Sequence, residues 1–199
     1  HLLDAVRSVF AYDAAGIFVL NQDLVHARHE APREMIAGIA RRGFDPGSPE
    51  EDDMLMHGQG ITGDVIRNCH SIVVPDVSLD ARYVQGRSLT RSEIAVPIIL
   101  NKRAIGALNL ESDQLSAYME DDVEVLQFFA DAAAISIEKA MLHKQLLERE
   151  LIGKQLETAR VVQSRLLPNS PPAFPGYDIA GICISADEIG GDYFDYISL

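Results

Sequence analysis

The chain has 199 residues, of which 47% are hydrophobic, and a formal net charge of −13. That hydrophobic share suffices for one full core and something smaller, and it excludes disorder over the whole length. The acidity argues against nucleic acid or an anionic membrane surface as partner, because phosphate binding needs clustered Lys and Arg.

The sequence opens at His1, already inside an apolar-periodic segment, which reads as a piece of a longer protein. It shows no signal peptide and no apolar run of bilayer length, so a cytoplasmic protein is expected. Cys69 and Cys183 lack CxxC spacing and read as two reduced thiols. The six histidines show no metal-ligand spacing.

In chain order, Leu2, Leu3, Val6, Val9 and Phe10 recur at helical spacing. Gly16–Leu20 and Met35–Ile39 read as strands, the second ended by a turn at Arg41-Arg-Gly43. Asp45–Asp53 is rich in Pro, Gly and acids and reads as a loop. Gly58-Gln-Gly60-Ile-Thr-Gly63 lacks the Lys-Ser/Thr ending of a nucleotide P-loop. It reads as a turn that needs positive φ, leading into a short helix over Ile61–Arg67. Ile72–Val74 is a short strand stopped by Pro75, and Ile94–Leu100 with Ala104–Leu110 form a hairpin. Helices segregated from strands in this way argue for an α+β domain with an antiparallel sheet.

A long helix follows. Its first stripe is Leu126, Phe129, Ala130, Ala133, Ile137, Ala140 and Met141, and it continues through Leu142, Leu146, Leu151, Leu156 and Val162 to a stop at Pro168. Glu150 and Lys154 are spaced for an i,i+4 pair. Arg149, Gly153 and Gln163 interrupt a strict heptad. Two uses of the stripe stand: a homodimer through a parallel coiled coil, or packing on a following domain. Residues 168–176 form a proline-rich linker. Tyr177–Ser185 and Tyr193–Ile197 then read as strands flanking Asp187-Glu-Ile-Gly-Gly-Asp192-Tyr-Phe-Asp195.

Five pieces of the first region fall in a telling order: Gly60-Ile-Thr-Gly63, Val73-Val-Pro-Asp76, Ser92-Glu-Ile-Ala-Val-Pro97, Ile105-Gly-Ala-Leu-Asn-Leu-Glu-Ser112, and the helix from Asp122 through Ala132-Ala-Ala-Ile-Ser-Ile-Glu-Lys-Ala140. Together they resemble a GAF domain, a small-molecule sensor module. The resemblance implies a six-stranded antiparallel sheet with flanking helices and a pocket between sheet and loops, over residues 1–141. It does not name the ligand. Cyclic-nucleotide GAF domains carry an Asn-Lys…Phe…Asp-Glu signature. Here Asn101-Lys102 is present, Tyr118 stands where Phe would, and Asp122 is followed by Val123. A cyclic-nucleotide receptor is thus the weaker alternative.

The C-terminal region resembles the start of a SpoIIE/RsbU-type serine phosphatase of the protein phosphatase 2C-like class. The resemblance rests on Gln163-Ser-Arg-Leu-Leu-Pro168 followed by Gly190-Gly-Asp192-Tyr-Phe-Asp195. It implies that Asp192 is a ligand of Mn²⁺ or Mg²⁺, that Asp195 supports it, and that other carboxylates of the ion cage lie beyond this chain. It divides the chain into a sensor (1–141), a signalling helix (142–168) and a phosphatase segment (169–199) carrying a truncated first β-hairpin. The expected whole is a bacterial phosphatase acting on a phosphoserine or phosphothreonine protein such as an anti-sigma-factor antagonist, with these residues alone inactive. The alternative is a non-catalytic, dimeric GAF signalling module.

Overall fold

A computed structural model describes residues 2–20, 36–44, 57–168, 170–173, 175–185 and 189–197. The expected loop over Asp45–Asp53, the strand start at Met35, and Asp187 and Glu188 lie outside the described residues. The chain divides into two compact units, His1–Lys139 and Ala140–Leu199.

The first unit is an α+β domain. Helix α1 (Leu2–Arg7) leads to strands β1 (Ala14–Leu20) and β2 (Ile36–Arg42). Helix α2 (Gly60–Asn68) and the short β3 (Ile72–Val74) follow, then β4 (Ser92–Leu100), β5 (Arg103–Ser112) and helix α3 (Glu120–Leu166). The strands form one sheet in the order β2-β1-β5-β4-β3, with every pair antiparallel. The described residues thus give five strands, one fewer than the resemblance implied. Arg41 and Arg42 belong to β2 rather than to a turn, since they pair with Gly16 and Ala15. The positive φ of 78° falls at Gly43 instead.

Strand alternation sorts the side chains onto two covered faces. Ile94, Val96 and Ile98 of β4 join Leu108 and Leu110 of β5 in one core with Leu3 and Val6 of α1 and Leu126, Ala130 and Ala133 of α3. Ala95 and Ala107 point the other way, into a second core with Ile61, Val65 and Ile66 of α2 and with Val74 and Val77. Coverage on both sides explains why Ser92–Ile98 is buried throughout. Pro97 sits within β4, yet the pairing with β3 reaches only from Glu93 to Ala95, which faces Ile72. Among the described residues no strand pairs with β4 on that side from there on, and at such an edge a missing donor is tolerated.

Asn101 and Lys102 form the two-residue β4–β5 turn with φ of 50° and 66°, the mirror-image geometry that suits the twist of a hairpin. At the start of α2, Gly58 and Gly60 take φ of 73° and 84°. A Cβ on Gly63 would meet the Gly58 carbonyl oxygen at 1.8 Å, and Arg67 donates to that same oxygen. The glycine-rich stretch is therefore a tight turn onto a helix, as its composition suggested.

In the second unit α3 ends at Leu166, just before Pro168. Its ion pairs form between Lys144 and Glu148 (3.9 Å) and between Arg160 and Glu157 (4.0 Å), in place of the expected Glu150–Lys154 pair. The strands expected over Tyr177–Ser185 and Tyr193–Ile197 do not form a hairpin among the described residues. The two segments lie alongside each other, with Gly181 against the Phe194 and Tyr196 rings. Among the described residues no backbone ladder joins them, and a strand exists only through such a partner.

Candidate functional site

The polar residues of the second sheet face gather at one place. Glu93 on β4 pairs directly with Glu111 on β5. Asn109, two residues before Glu111, projects from the same face. All three are buried, with 3%, 3% and 2% of their surface exposed. The Asn109 amide donates from Nδ2 to Glu93 Oε1 at 3.0 Å and to Glu111 Oε1 at 3.4 Å. Thr90 donates from Oγ1 to Glu111 Oε2 at 2.5 Å. Gly16, opposite Asn109 on β1, leaves room for the amide: a Cβ there would lie 2.7 Å from Asn109 Oδ1.

Burial dominates the electrostatics. It raises the Glu93 carboxyl well above the usual glutamate range, and the neighbouring Glu111 charge raises it further. Burial lifts Glu111 to about 7, against the opposing pull of the Thr90 hydrogen bond and the Arg87 guanidinium. Neither carboxylate has an ion-pair partner among the described residues. Arg87 is engaged with Asp113 at 2.6 Å, and Arg82 bridges Asp64 and Asp80 at 2.7 Å each. Asn109 Oδ1 is buried without a hydrogen-bond partner, on the Gly16 side of the amide. Burial raises the Tyr83 phenol and the Glu111 charge adds to the shift, against the opposing pull of hydrogen bonds with Thr90 and the Gly86 backbone.

Tyr83 also lines a cleft of about 270 Å³ with Gln59, Gly60, Arg67, Arg82 and Val84. The Arg82 bridge ties the 80–83 segment to Asp64 on α2 and so fixes one wall of that cleft. Helix α2 covers the sheet face that carries the two buried carboxyls. Glu93, Asn109 and Glu111 are not among the site residues that the sequence motifs point to. The available signal was two acids and an amide inside runs that are otherwise apolar.

The cyclic-nucleotide positions serve the fold. Asn101 and Lys102 make the hairpin turn. Tyr118 is 4% exposed in the first core. Asp122 accepts from the Met119 backbone N–H through Oδ2 at 2.8 Å, closing the start of α3. Cys69 is exposed in the left-handed region at the end of α2.

In the second unit, Gln163 clamps Gly190 with both ends of its amide. Nε2 donates to the Gly190 carbonyl at 2.5 Å, and the Gly190 N–H donates to Oε1 at 3.0 Å. Asp192 begins one of two segments, Ala180–Ile184 and Asp192–Tyr196, that line a cleft of about 590 Å³. Its backbone oxygen faces Cys183 Sγ at 3.9 Å. Asp195 accepts from Tyr193 Oη at 3.0 Å and from the Tyr196 N–H at 2.8 Å. Among the described residues, no group of three or more His, Cys, Asp or Glu converges to hold a metal ion. No described helix is long and apolar enough to cross a membrane.

The family model for the GAF domain matches residues 1–138. GAF domain-containing protein A from Dictyostelium discoideum is 32% identical over 72 residues, covering 36% of this chain and 46% of that protein. The match therefore spans less than half the length of that relative. The free methionine-R-sulfoxide reductase of Neisseria meningitidis, solved in complex with its substrate, superposes with a TM-score of 0.52 at 22% identity over 70% of this chain and 75% of that one. The GAF domain of Acinetobacter phosphoenolpyruvate-protein phosphotransferase gives 0.51 at 16% identity, covering 72% and 79%. At such identities the two structures establish a shared fold.

Proposed function

The chain belongs to the GAF family, and from that premise we propose that its first unit is the small-molecule sensing module of a signalling protein, with the ligand held beside Tyr83 and the Glu93–Asn109–Glu111 cluster. The observation that carries this reading is the burial of two opposed glutamates and an asparagine on the sheet face that α2 covers. A fold that needed only a core would bury apolar side chains there, because unpaired buried polar atoms cost free energy. One fold relative is a reductase solved with its substrate, which is in keeping with a ligand-holding use of this fold. Reductase chemistry is not carried over: Cys69 is exposed at the end of α2, and Cys183 lies in the other unit.

The test is a thermal-shift screen of small metabolites against the intact chain. A hit whose stabilisation is lost in a Tyr83→Phe or Glu93→Gln chain supports the reading. A screen in which no compound stabilises the chain speaks against it.

The output runs through α3. Phe128, Ile135 and Leu142 recur every seven residues, and all three are exposed, as is Leu146. Such a stripe is satisfied by a second copy of the helix, so the module acts as a homodimer in the cytoplasm.

A second reading is favoured by one contact. The amide of Gln163 holds Gly190, so the two halves of the phosphatase-like motif meet. In this reading α3 controls a metal-dependent serine/threonine phosphatase domain to which residues 169–199 contribute Asp192, with Asp195 in support. The residues present do not fit an Mn²⁺ or Mg²⁺ ion by themselves: Asp192 has no converging carboxylates among the described residues, and Asp195 is occupied by Tyr193. This chain alone is expected to release no phosphate from a phosphoserine protein. The non-catalytic signalling module accords better with the family match, which covers the first unit.

A further inference from the structure

We propose that residues 77–91 form a strap that lies closed over the second sheet face while Glu93 and Glu111 are protonated and lifts as they ionise, opening the cleft that Tyr83 lines. The strap itself needs no ligand. That its opening admits one rests on the sensing role assigned to the first unit.

The segment is a loop closed at its base. The Val77 N–H donates to the Arg91 carbonyl at 2.9 Å, and the Arg91 N–H donates to the Ser112 carbonyl of β5 at 2.8 Å. Both ends are thus held while the middle crosses the sheet. That middle roofs the acids. Thr90 donates to Glu111 Oε2, and a Cβ on Gly86 would lie 3.8 Å from Glu111 Oε1 and 3.1 Å from the Phe44 ring. The Tyr83 phenol lies beside Thr90 and the Gly86 backbone. Water cannot reach Glu111 from that side unless this roof moves.

The roof is also weakly held. Within it Val77 and Thr90 are buried, whereas Leu79 and Leu89 are 84% and 62% exposed. Helix α2, over the same face, buries Ile61, Val65 and Ile66. Local opening takes the element with the least apolar burial first. The strap's ion pairs, Arg82 with Asp64 and Arg87 with Asp113, are partly exposed and contribute little.

The charges around the pair set the sign. On the strap, Arg87 favours ionised Glu111, and Asp80 opposes ionised Glu93. Asp113, just past β5, opposes ionised Glu111. On α2, Asp64 is taken by Arg82, and Arg67 by the Gly58 carbonyl. Asp13, before β1, accepts from Ser112 and from the Asp113 N–H. The phenols of Tyr83 and Tyr118 are both raised and stay neutral. Burial outweighs Arg87, so Glu111 titrates at about 7, and Glu93 is raised as well. Lifting the strap hydrates both and returns them toward the ordinary glutamate range. The closed form therefore binds more protons, and closure is complete in acid and lost as pH rises through 7.

The experiment is amide hydrogen exchange on the ligand-free intact chain at pH 5 and pH 8, with each rate divided by the intrinsic rate at that pH. Protection in residues 80–90 should fall by about tenfold or more between the two, while α2 and Ile94–Ile98 of β4 keep theirs. In a Glu93→Gln, Glu111→Gln chain the protection of residues 80–90 should not change with pH. Constant protection in the parent overturns the proposal, as does an equal loss across α2 and β4 or a loss that persists in the variant. If the variant does not fold, carbon-13 titration of the parent's glutamate carboxyls decides. A Glu111 midpoint that coincides with the loss of protection supports the strap, and an ordinary glutamate midpoint overturns it. Because no ligand is added, failure here leaves the sensing role standing, and failure of the metabolite screen leaves the strap standing.

Discussion

Glu93 on β4 and Glu111 on β5 face each other across a central strand pair, both nearly inaccessible to solvent, and a single asparagine amide bridges them. Thr90 donates to the pair and Arg87 attracts it, while Asp80 and Asp113 repel it. Two buried acids with no resident cation hold their protons to higher pH than an ordinary glutamate does, and the stability of the domain must then depend on pH.

A glutamate in the unfolded chain titrates near 4.5, whereas Glu111 in the fold titrates at about 7 and Glu93 is also raised. The native state therefore retains protons that the unfolded chain has already released. The stabilisation is complete below 4.5 and is lost as pH rises through 7, by roughly 3 kcal/mol for Glu111 alone. Urea denaturation at pH 5 and pH 8 should show the parent chain losing stability over that interval, and Glu111→Gln should lose much less. Parallel losses in the two chains would contradict this assignment.

Lys102 adopts a φ of 66° in the β4–β5 turn, where a Cβ is unfavourable and glycine is not. Lys102→Gly should stabilise the first unit by about 1 kcal/mol, read from the urea midpoint. If Lys102 instead served a cyclic nucleotide, calorimetry with cyclic AMP or cyclic GMP would show binding to the parent that this variant loses. No such binding is expected.

A Cβ on Gly63 would fall 1.8 Å from the backbone of Gly58. The turn cannot absorb that contact by rotating a side chain. Gly63→Ala should destabilise α2 by 1–3 kcal/mol, on the order seen for overpacked cores. Retention of the parental melting temperature would mean that the turn is looser than described.

The hairpin, α2 and the long helix are legible in the sequence because their signals are local. Asn101-Lys102 sits between two alternating apolar runs, glycines precede a short apolar helix, and Pro168 ends a long one. The polar cluster is not legible in this way. Glu93, Ala95 and Pro97 alternate with Ile94, Val96 and Ile98, a pattern that by itself reads as one solvated and one buried face. Only the packing of α2 and of the Val77 and Tyr83 segment over that face, which joins residues far apart in the chain, turns the acids into buried ones. The C-terminal segments fail in the opposite direction. Tyr177–Ser185 alternates as a strand should, but alternation cannot supply the neighbour that a ladder requires.

Gln163 reaches from α3 to the Gly190-Gly191-Asp192 turn through two amide hydrogen bonds. Gln163→Ala should leave the first unit unchanged and speed hydrogen exchange at the Gly190 N–H by at least tenfold. An unchanged exchange rate would remove the link between the helix and the turn.

Leu142 and Leu146 are 55% and 59% exposed on α3. If a second copy covers them, sedimentation equilibrium should show the parent as a dimer and a Leu142→Glu, Leu146→Glu chain as a monomer with an intact first unit. A monomeric parent at micromolar concentration would contradict dimerisation through this helix.

The most direct test of sensing by the first unit is amide hydrogen exchange on the intact chain, with and without a metabolite that raises its melting temperature. Protection is predicted to concentrate in the 80–93 segment and in β5 around Asn109 and Glu111, with any change in α3 beyond residue 140 following from it. Protection confined to residues 177–197, with the Tyr83–Glu93 segment unaffected, would place the ligand elsewhere and contradict the assignment.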